Sequence, residues 1–135
     1  MIPSMEQPYL WPAPEAVERL NQLLPLPATG REQDWEVELA DAGRIGEWLD
    51  LLEEGSLDLD AQSALALLIV CSILYGEERS HATPVLDRAR MAIRADPLVH
   101  ARMHSYWLRF FEPGGDVEID AENTAFLANV AYVLT

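Results

Sequence analysis

The sequence has a single cysteine, Cys71, and no lysine. One cysteine excludes an intramolecular disulfide, so a reducing compartment is the simplest interpretation. Residues 1–6 contain no basic residue and no apolar run, which argues against an ordinary signal peptide. Together these absences predict a protein of the cytoplasm.

Motifs of catalysis and of cofactor binding are also missing. The chain has no Gly-x-Ser-x-Gly elbow, no phosphate-binding glycine loop and no dinucleotide fingerprint. Cys71 has no basic residue nearby in sequence to favour a reactive thiolate, and it is interpreted as a packing residue. The sequence therefore predicts a protein that is not an enzyme and binds no cofactor. The alternative is a small helical enzyme whose acid–base pair is hidden among many carboxylates.

Positive charge is scarce, because nine arginines oppose 23 acidic residues and leave a formal net charge of −14. The field of such a chain repels nucleic acid and anionic membranes and attracts basic proteins. The charge is unevenly distributed: residues 1–60 hold fourteen acids and three arginines, whereas residues 77–111 hold four acids and six arginines. This segregation favours a cationic partner, the alternative being a solvated surface that keeps the protein soluble.

One long apolar stretch runs from Ala64 to Tyr75 and is interrupted only by Ser72. A helix with no polar side must be enclosed by other helices. At about 18 Å it is too short to span about 30 Å of bilayer hydrocarbon. The sequence therefore predicts a mainly α fold, a single-domain helical bundle around a buried central helix at residues 60–75. Asp60 is expected to cap this helix and Gly76 to end it.

Prolines and capping residues divide the rest of the chain. Residues 1–14 are predicted to form an extended, proline-rich arm, and residues 15–135 a single helical domain. The cluster Tyr9-Leu10-Trp11 is expected to dock the arm on the body, the alternative being a partner-binding peptide. Further helices are expected to begin at or just after Pro14, Asp41, Thr83-Pro84, Asp96-Pro97 and Asp120.

Apolar and acidic residues alternate strictly in residues 35–39 and again in residues 117–119. Such alternation is typical of short, half-buried strands, and a lone three-residue strand needs a partner. The two segments are therefore predicted to pair as a small antiparallel ribbon. With Trp35 and Val37 turned inward, Glu36 and Glu38 would face outward.

The acids of this ribbon are expected to form one surface with the acids at the end of one helix and the start of the next. Like charges that lie close together are unfavourable, so an external cation is their natural complement. The residues predicted to bind a basic partner are Glu36, Glu38, Glu47, Asp50, Glu53, Glu54, Asp58, Asp60 and Glu118.

His100 and His104 lie one helical turn apart, a spacing that can chelate a transition metal. A zinc site needs further ligands, and no third histidine or cysteine stands at a suggestive distance. The pair is therefore interpreted as packing residues with a polar edge, at a helix boundary or an interface. No metal site is predicted.

Several spaced aromatic and aliphatic residues carry a family resemblance: Asp34-Trp35-Glu36 with Leu39-Ala40-Asp41, Ile45, Trp48-Leu49, Ala64-Leu65 with Leu68-Ile69 and Ser72, and His104-Ser105-Tyr106-Trp107. Through them residues 34–111 resemble small helical bacterial immunity proteins, which are encoded beside polymorphic toxins. The resemblance implies an acidic cytoplasmic protein that binds and blocks one toxin domain, often a basic nuclease. The alternative is a regulatory or scaffold protein that acts through a homo-oligomer.

Overall fold

The computed structural model describes residues 9, 11–75, 82–111 and 127–135. Within these ranges the chain is mainly α-helical and contains no strand. The helices are α1 (Pro14–Leu23), α2 (Trp35–Glu38), α3 (Ile45–Glu54), α4 (Leu59–Tyr75), α5 (Thr83–Arg94), α6 (Pro97–Phe111) and α7 (Leu127–Leu134). A 3-10 turn at Ala42–Arg44 leads into α3.

Helix α4 is the centre of the bundle. Every residue from Ser63 to Leu74 is buried, and α4 contacts each of the other six helices. This confirms the predicted mainly α fold around a buried central helix. The physical cause is the one inferred from the sequence: a helix without a polar side is stable in water only when other helices cover it on all sides.

Ser72 interrupts this apolar helix without leaving a polar atom unsatisfied. Its hydroxyl donates to the carbonyl oxygen of Leu68 at 2.8 Å and accepts from the backbone N–H of Asp41 at 2.9 Å. The second bond ties the segment between α2 and α3 to the middle of the core helix. A buried hydroxyl costs stability unless it is bonded in this way.

The predicted cap of α4 is wrong by two residues. The helix begins at Leu59, so the capping position falls on Asp58, whose Oδ1 accepts from the backbone N–H of Ala61 at 2.8 Å. Asp60 therefore lies in the first turn, where its carboxylate is available to a neighbouring helix. The expected end of this helix at Gly76 and the cap at Asp120 fall outside the described residues.

Asp96 caps its helix as predicted, and Asp41 caps the 3-10 turn that leads into α3. Asp96 Oδ1 accepts from Leu98 N at 3.0 Å at the start of α6. Asp41 Oδ1 accepts from Gly43 N at 2.9 Å, although it caps the 3-10 turn and not α3 directly. Gly55 ends α3 with φ of 68°, a left-handed conformation that glycine adopts without a Cβ clash.

The predicted ribbon is wrong in its first half, because residues 35–39 form the short helix α2 and its C-terminal cap. The Glu38 carboxylate accepts from the backbone N–H of Asp34 at 2.8 Å, which satisfies a donor at the start of the helix. Trp35 and Leu39 are buried, since a spacing of four fits both a strand and a helical turn. Val37, also predicted to face inward, is exposed because the helix turns it away from the core. Residues 117–119 lie outside the described part of the chain.

Truncating the middle of α4 should destabilise the whole bundle. Leu68 is fully buried, so Leu68→Ala should lower the free energy of unfolding by about 2–5 kcal/mol through lost burial and a cavity. Leu23→Ala is the matched control, because Leu23 is half exposed on α1 and its loss should cost about 0.5 kcal/mol or less. Urea denaturation followed by circular dichroism measures both values, and equal losses would contradict the central role of α4.

Candidate functional site

Most acids of the predicted binding surface are paired with arginines of the same chain. Arg88 on α5 bonds both Asp50 and Glu53 on α3, and Arg102 on α6 bonds Asp60 on α4 at 2.8 Å. The remaining pairs are Arg44 with Glu47 at 2.6 Å and Arg19 with Asp58 at 3.6 Å. These five acids carry less unbalanced charge than the sequence suggests, since each has an opposite charge beside it.

Two of these pairings shift the pKa of the groups in them. Hydrogen bonds from Arg88 lower the pKa of Glu53, and hydrogen bonds from Arg44 lower the pKa of Glu47. In return, Glu53 and Asp50 raise the pKa of Arg88. Glu47, Glu53 and Arg88 are therefore charged at neutral pH, and all of these pairs lie at the surface, where a single ion pair contributes little to stability.

The other predicted site residues that the structure describes differ in their exposure. Glu36 was expected to be exposed, but only 5% of it is accessible, and it accepts a hydrogen bond from the Tyr106 hydroxyl at 2.8 Å. The expectation failed because a helix turns the second residue of this segment inward, where a strand would turn it outward. Glu38 and Glu54 are exposed as expected, and Glu118 lies outside the described residues.

A cleft that the sequence did not predict lies between the arm, α1, the loop before α2 and α2 itself. It encloses about 710 Å³, within the range of about 300–1,000 Å³ typical of ligand sites. Its apolar lining consists of Trp11, Pro12, Pro14, Val17 and Trp35. The Trp11 side chain is 69% exposed, so a large aromatic surface is offered to whatever enters the cleft.

The polar lining of the cleft carries charge of one sign. Its acids are Glu18, Glu32, Asp34 and Glu36, and none of the described residues that line it is basic. Hydrogen bonds from the Thr29 hydroxyl and backbone N–H lower the pKa of Glu32, which keeps this carboxylate ionised. The cleft therefore combines an aromatic wall with a negative potential.

The arm is held on α6 by contacts of Tyr9. Its backbone N–H donates to Ser105 Oγ at 2.9 Å, and the Arg102 guanidinium lies 5.5 Å from the centre of its ring. Such a distance is within the range of a cation–π interaction. Docking of the arm is therefore confirmed at Tyr9, two residues before the tryptophan that lines the cleft.

His100 and His104 share a backbone acceptor. The Nε2 atom of each ring hydrogen-bonds the carbonyl oxygen of Leu134, at 2.8 Å for His100, and the ring centres are 4.5 Å apart. The last residue of α7 is thereby held against α6, as expected of histidines at a helix boundary. Among the described residues, no group of three or more histidine, cysteine, aspartate or glutamate side chains is placed to hold a metal ion.

Cys71 is fully buried in α4. Burial raises the pKa of its thiol well above the usual value, so the reactive thiolate is disfavoured. The position of this residue agrees with its interpretation as a packing residue.

Comparison with known proteins finds no matching family model, curated protein or solved structure. None of the helices within the described ranges combines the length and the apolar character needed to cross a bilayer. Inference about function therefore rests on the geometry and the charge of the site.

Acidification should destabilise the protein through His100. Burial, helped by the charges of His104 and Arg94, lowers the pKa of His100 in the folded state, while the unfolded value is about 6.5. The unfolded chain therefore takes up the proton first, so stability is full above pH of about 7 and declines as the pH falls through 6.5 towards the folded pKa.

Urea denaturation at several pH values between about 7.5 and 5 tests this expectation, since carboxylates titrate mainly below that window. His100→Asn keeps a hydrogen-bond donor but removes the titration, so its free energy of unfolding should fall less on acidification than that of the parent protein. Equal pH dependence in the two proteins would contradict the role assigned to His100.

Removing the hydroxyl of Tyr9 should not weaken the docking of the arm. Within the described structure this hydroxyl is buried without a hydrogen-bond partner, and burial raises its pKa, so it stays protonated. An unsatisfied buried group costs about 1–3 kcal/mol, so Tyr9→Phe should match or exceed the parent in stability. Tyr9→Ala, which also removes the ring, should be less stable than both. A phenylalanine variant as unstable as the alanine variant would refute this account of the contact.

Proposed function

We propose that this chain is a non-enzymatic, acidic protein-binding module that binds a basic protein. The particular function favoured by the family resemblance is that of an immunity protein, which binds and inhibits a cognate bacterial toxin domain, a basic nuclease for example, in the cytoplasm. The observation that carries the proposal is the charge of the cleft, whose described lining holds four acids and no base beside an exposed tryptophan.

The distribution of arginines supports this assignment. Arg88 and Arg102 each pair with acids of another helix, so the surface of α3, α4, α5 and α6 is partly neutralised from within. The cleft receives no such compensation from the described residues that line it. A negative potential that the described lining leaves unbalanced is best balanced by a positive partner.

Inhibition of a toxin also suits this electrostatic design. A complementary field speeds association, up to about 10⁸–10⁹ M⁻¹s⁻¹ at low salt, compared with about 10⁵–10⁶ for neutral surfaces. An inhibitor that must intercept a harmful enzyme benefits from fast capture. The exposed aromatic surface of Trp11 supplies the apolar contact that slows dissociation once the partner is bound.

The decisive experiment uses the product of the adjacent gene as the partner. We expect a stoichiometric complex whose association rate falls steeply as salt rises, because the Debye length shrinks from about 10 Å at 0.1 M to about 3 Å at 1 M. Loss of the partner's toxic activity in the complex would identify inhibition. A neighbouring metabolic gene whose product does not bind would refute the immunity function and favour a regulatory or scaffold protein.

Two exposed acids of the predicted surface provide a test by mutation. Glu38→Gln with Glu54→Gln removes two negative charges, and glutamine at position 38 keeps an oxygen for the Asp34 backbone N–H. We expect slower association and a shallower salt dependence in stopped-flow kinetics. The matched control, Thr83→Lys with Met91→Lys, changes the net charge equally at exposed positions of α5 and should slow association less. Equal slowing would mean that net charge, and not this surface, governs binding.

A further inference from the structure

We propose that the cleft between the arm, α1 and α2 is the recognition pocket for an arginine side chain of the partner. Its guanidinium would pack on the Trp11 indole and pair with the carboxylates of Glu18 and Asp34. This inference rests on the proposed function, because it names the group through which a basic protein is recognised.

The shape and the lining of the cleft match such a side chain. A volume of about 710 Å³ is larger than one side chain, so it admits an arginine together with the residues that flank it. Pro14 and Val17 offer apolar surface to the methylene groups of arginine, which bury readily while the charged end pairs with polar groups. Trp11, with 69% of its surface exposed, offers a flat aromatic face to the guanidinium.

In the part of the chain that the structure describes, two of the four acids accept hydrogen bonds from the chain through their carboxylates, and two do not. Glu32 accepts bonds from Thr29 and Gly30, and Glu36 accepts a bond from Tyr106. Within the described structure, no hydrogen bond or ion pair engages the carboxylates of Glu18 or Asp34, and both residues are exposed. Glu32 and Glu36 therefore contribute negative potential, whereas Glu18 and Asp34 provide acceptors that a ligand can reach.

Arginine fits this combination better than lysine. Its guanidinium is planar and weakly hydrated, stacks on aromatic rings and presents five donors to carboxylates. A lysine ammonium is a compact, strongly hydrated point charge that gains less from an indole face. The partner is therefore expected to insert an arginine into the cleft.

The first test uses a capped tripeptide, acetyl-Gly-Arg-Gly-amide, as the probe of the cleft. The four tryptophan indole N–H signals in a nitrogen-15 spectrum report four different places. Trp11 and Trp35 line the cleft, whereas Trp48 and Trp107 are fully buried elsewhere in the core. The peptide should shift the Trp11 signal, assigned with Trp11→Phe, and leave the signals of Trp48 and Trp107 in place.

Two analogues of the peptide define what is recognised. Citrulline keeps the shape of arginine but not its charge, so it should bind at least about tenfold more weakly, and the lysine peptide should bind several-fold more weakly. An unmoved Trp11 signal, or equal binding of the citrulline peptide, would overturn the proposal. Equal binding of the lysine peptide would show a general cation site and would overturn the assignment to arginine.

Matched variants separate the cleft from the overall charge. Glu18→Gln with Asp34→Asn should weaken peptide binding at least about tenfold, with an unchanged spectrum for the buried tryptophans as the check on folding. Thr83→Lys with Met91→Lys changes the net charge equally at exposed positions of α5 that do not line the cleft, and should alter binding by less than about twofold. Equal weakening by the two pairs would overturn the cleft as the site.

The natural partner distinguishes failure of this inference from failure of the proposed function. If the partner binds at the same rate and affinity after Glu18→Gln with Asp34→Asn, the pocket assignment is wrong while the binding function stands. If no basic partner exists but the arginine peptide binds in the cleft with the predicted selectivity, the proposed function fails and the site remains. Loss of partner binding in the cleft variant but not in the Thr83→Lys, Met91→Lys variant supports both.

Discussion

The absence of a polar side on α4 is the constraint on which the rest of the structure depends. A helix buried from Ser63 to Leu74 must be covered in every direction, and the six other described helices are those that cover it. Their own patterns follow, because each needs an apolar stripe towards α4 and a polar surface towards water. Even Ser72 serves this arrangement, since its hydroxyl fixes the backbone between α2 and α3. The location of the cleft is set by how α1 and α2 lie on this core.

The parts of the fold that sequence predicts well are those decided locally. Proline at the start of α1, aspartate at the start of α6 and glycine after α3 act within one turn of their own positions, so their effect can be inferred without knowing the fold. The segment at residues 35–39 was mistaken for a strand because its inward positions, Trp35 and Leu39, satisfy the period of a strand and of a helix alike. The bond from the Asp34 N–H to Glu38 and the packing of α2 on α4 decide between them.

The candidate site was harder to predict because its geometry depends on residues far apart in the chain. Arg88 lies 35 and 38 residues from the two acids it pairs, and Arg102 lies 42 residues from Asp60. No local pattern tells which acids will be neutralised in this way. The cleft is even harder to predict from the sequence, because Tyr9 in the arm bonds Ser105, 96 residues further along the chain. The local signal was the aromatic cluster at residues 9–11 in a proline-rich segment. It indicated that the arm docks on the body but did not indicate a pocket.

Arginine has two roles in this chain, and the two together explain why the negative potential collects at the cleft. Arg102 bonds Asp60 at 2.8 Å and Ser63 at 3.2 Å on α4, and its guanidinium also faces the ring of Tyr9 in the arm. The same side chain therefore neutralises an acid on the core helix and anchors the segment that carries Trp11. With Arg88 and Arg102 engaged in joining helices, the acids of α1 and α2 are left without counter-charges in the described lining of the cleft. The described part of the chain thus concentrates acids without counter-charges where the surface is concave and aromatic.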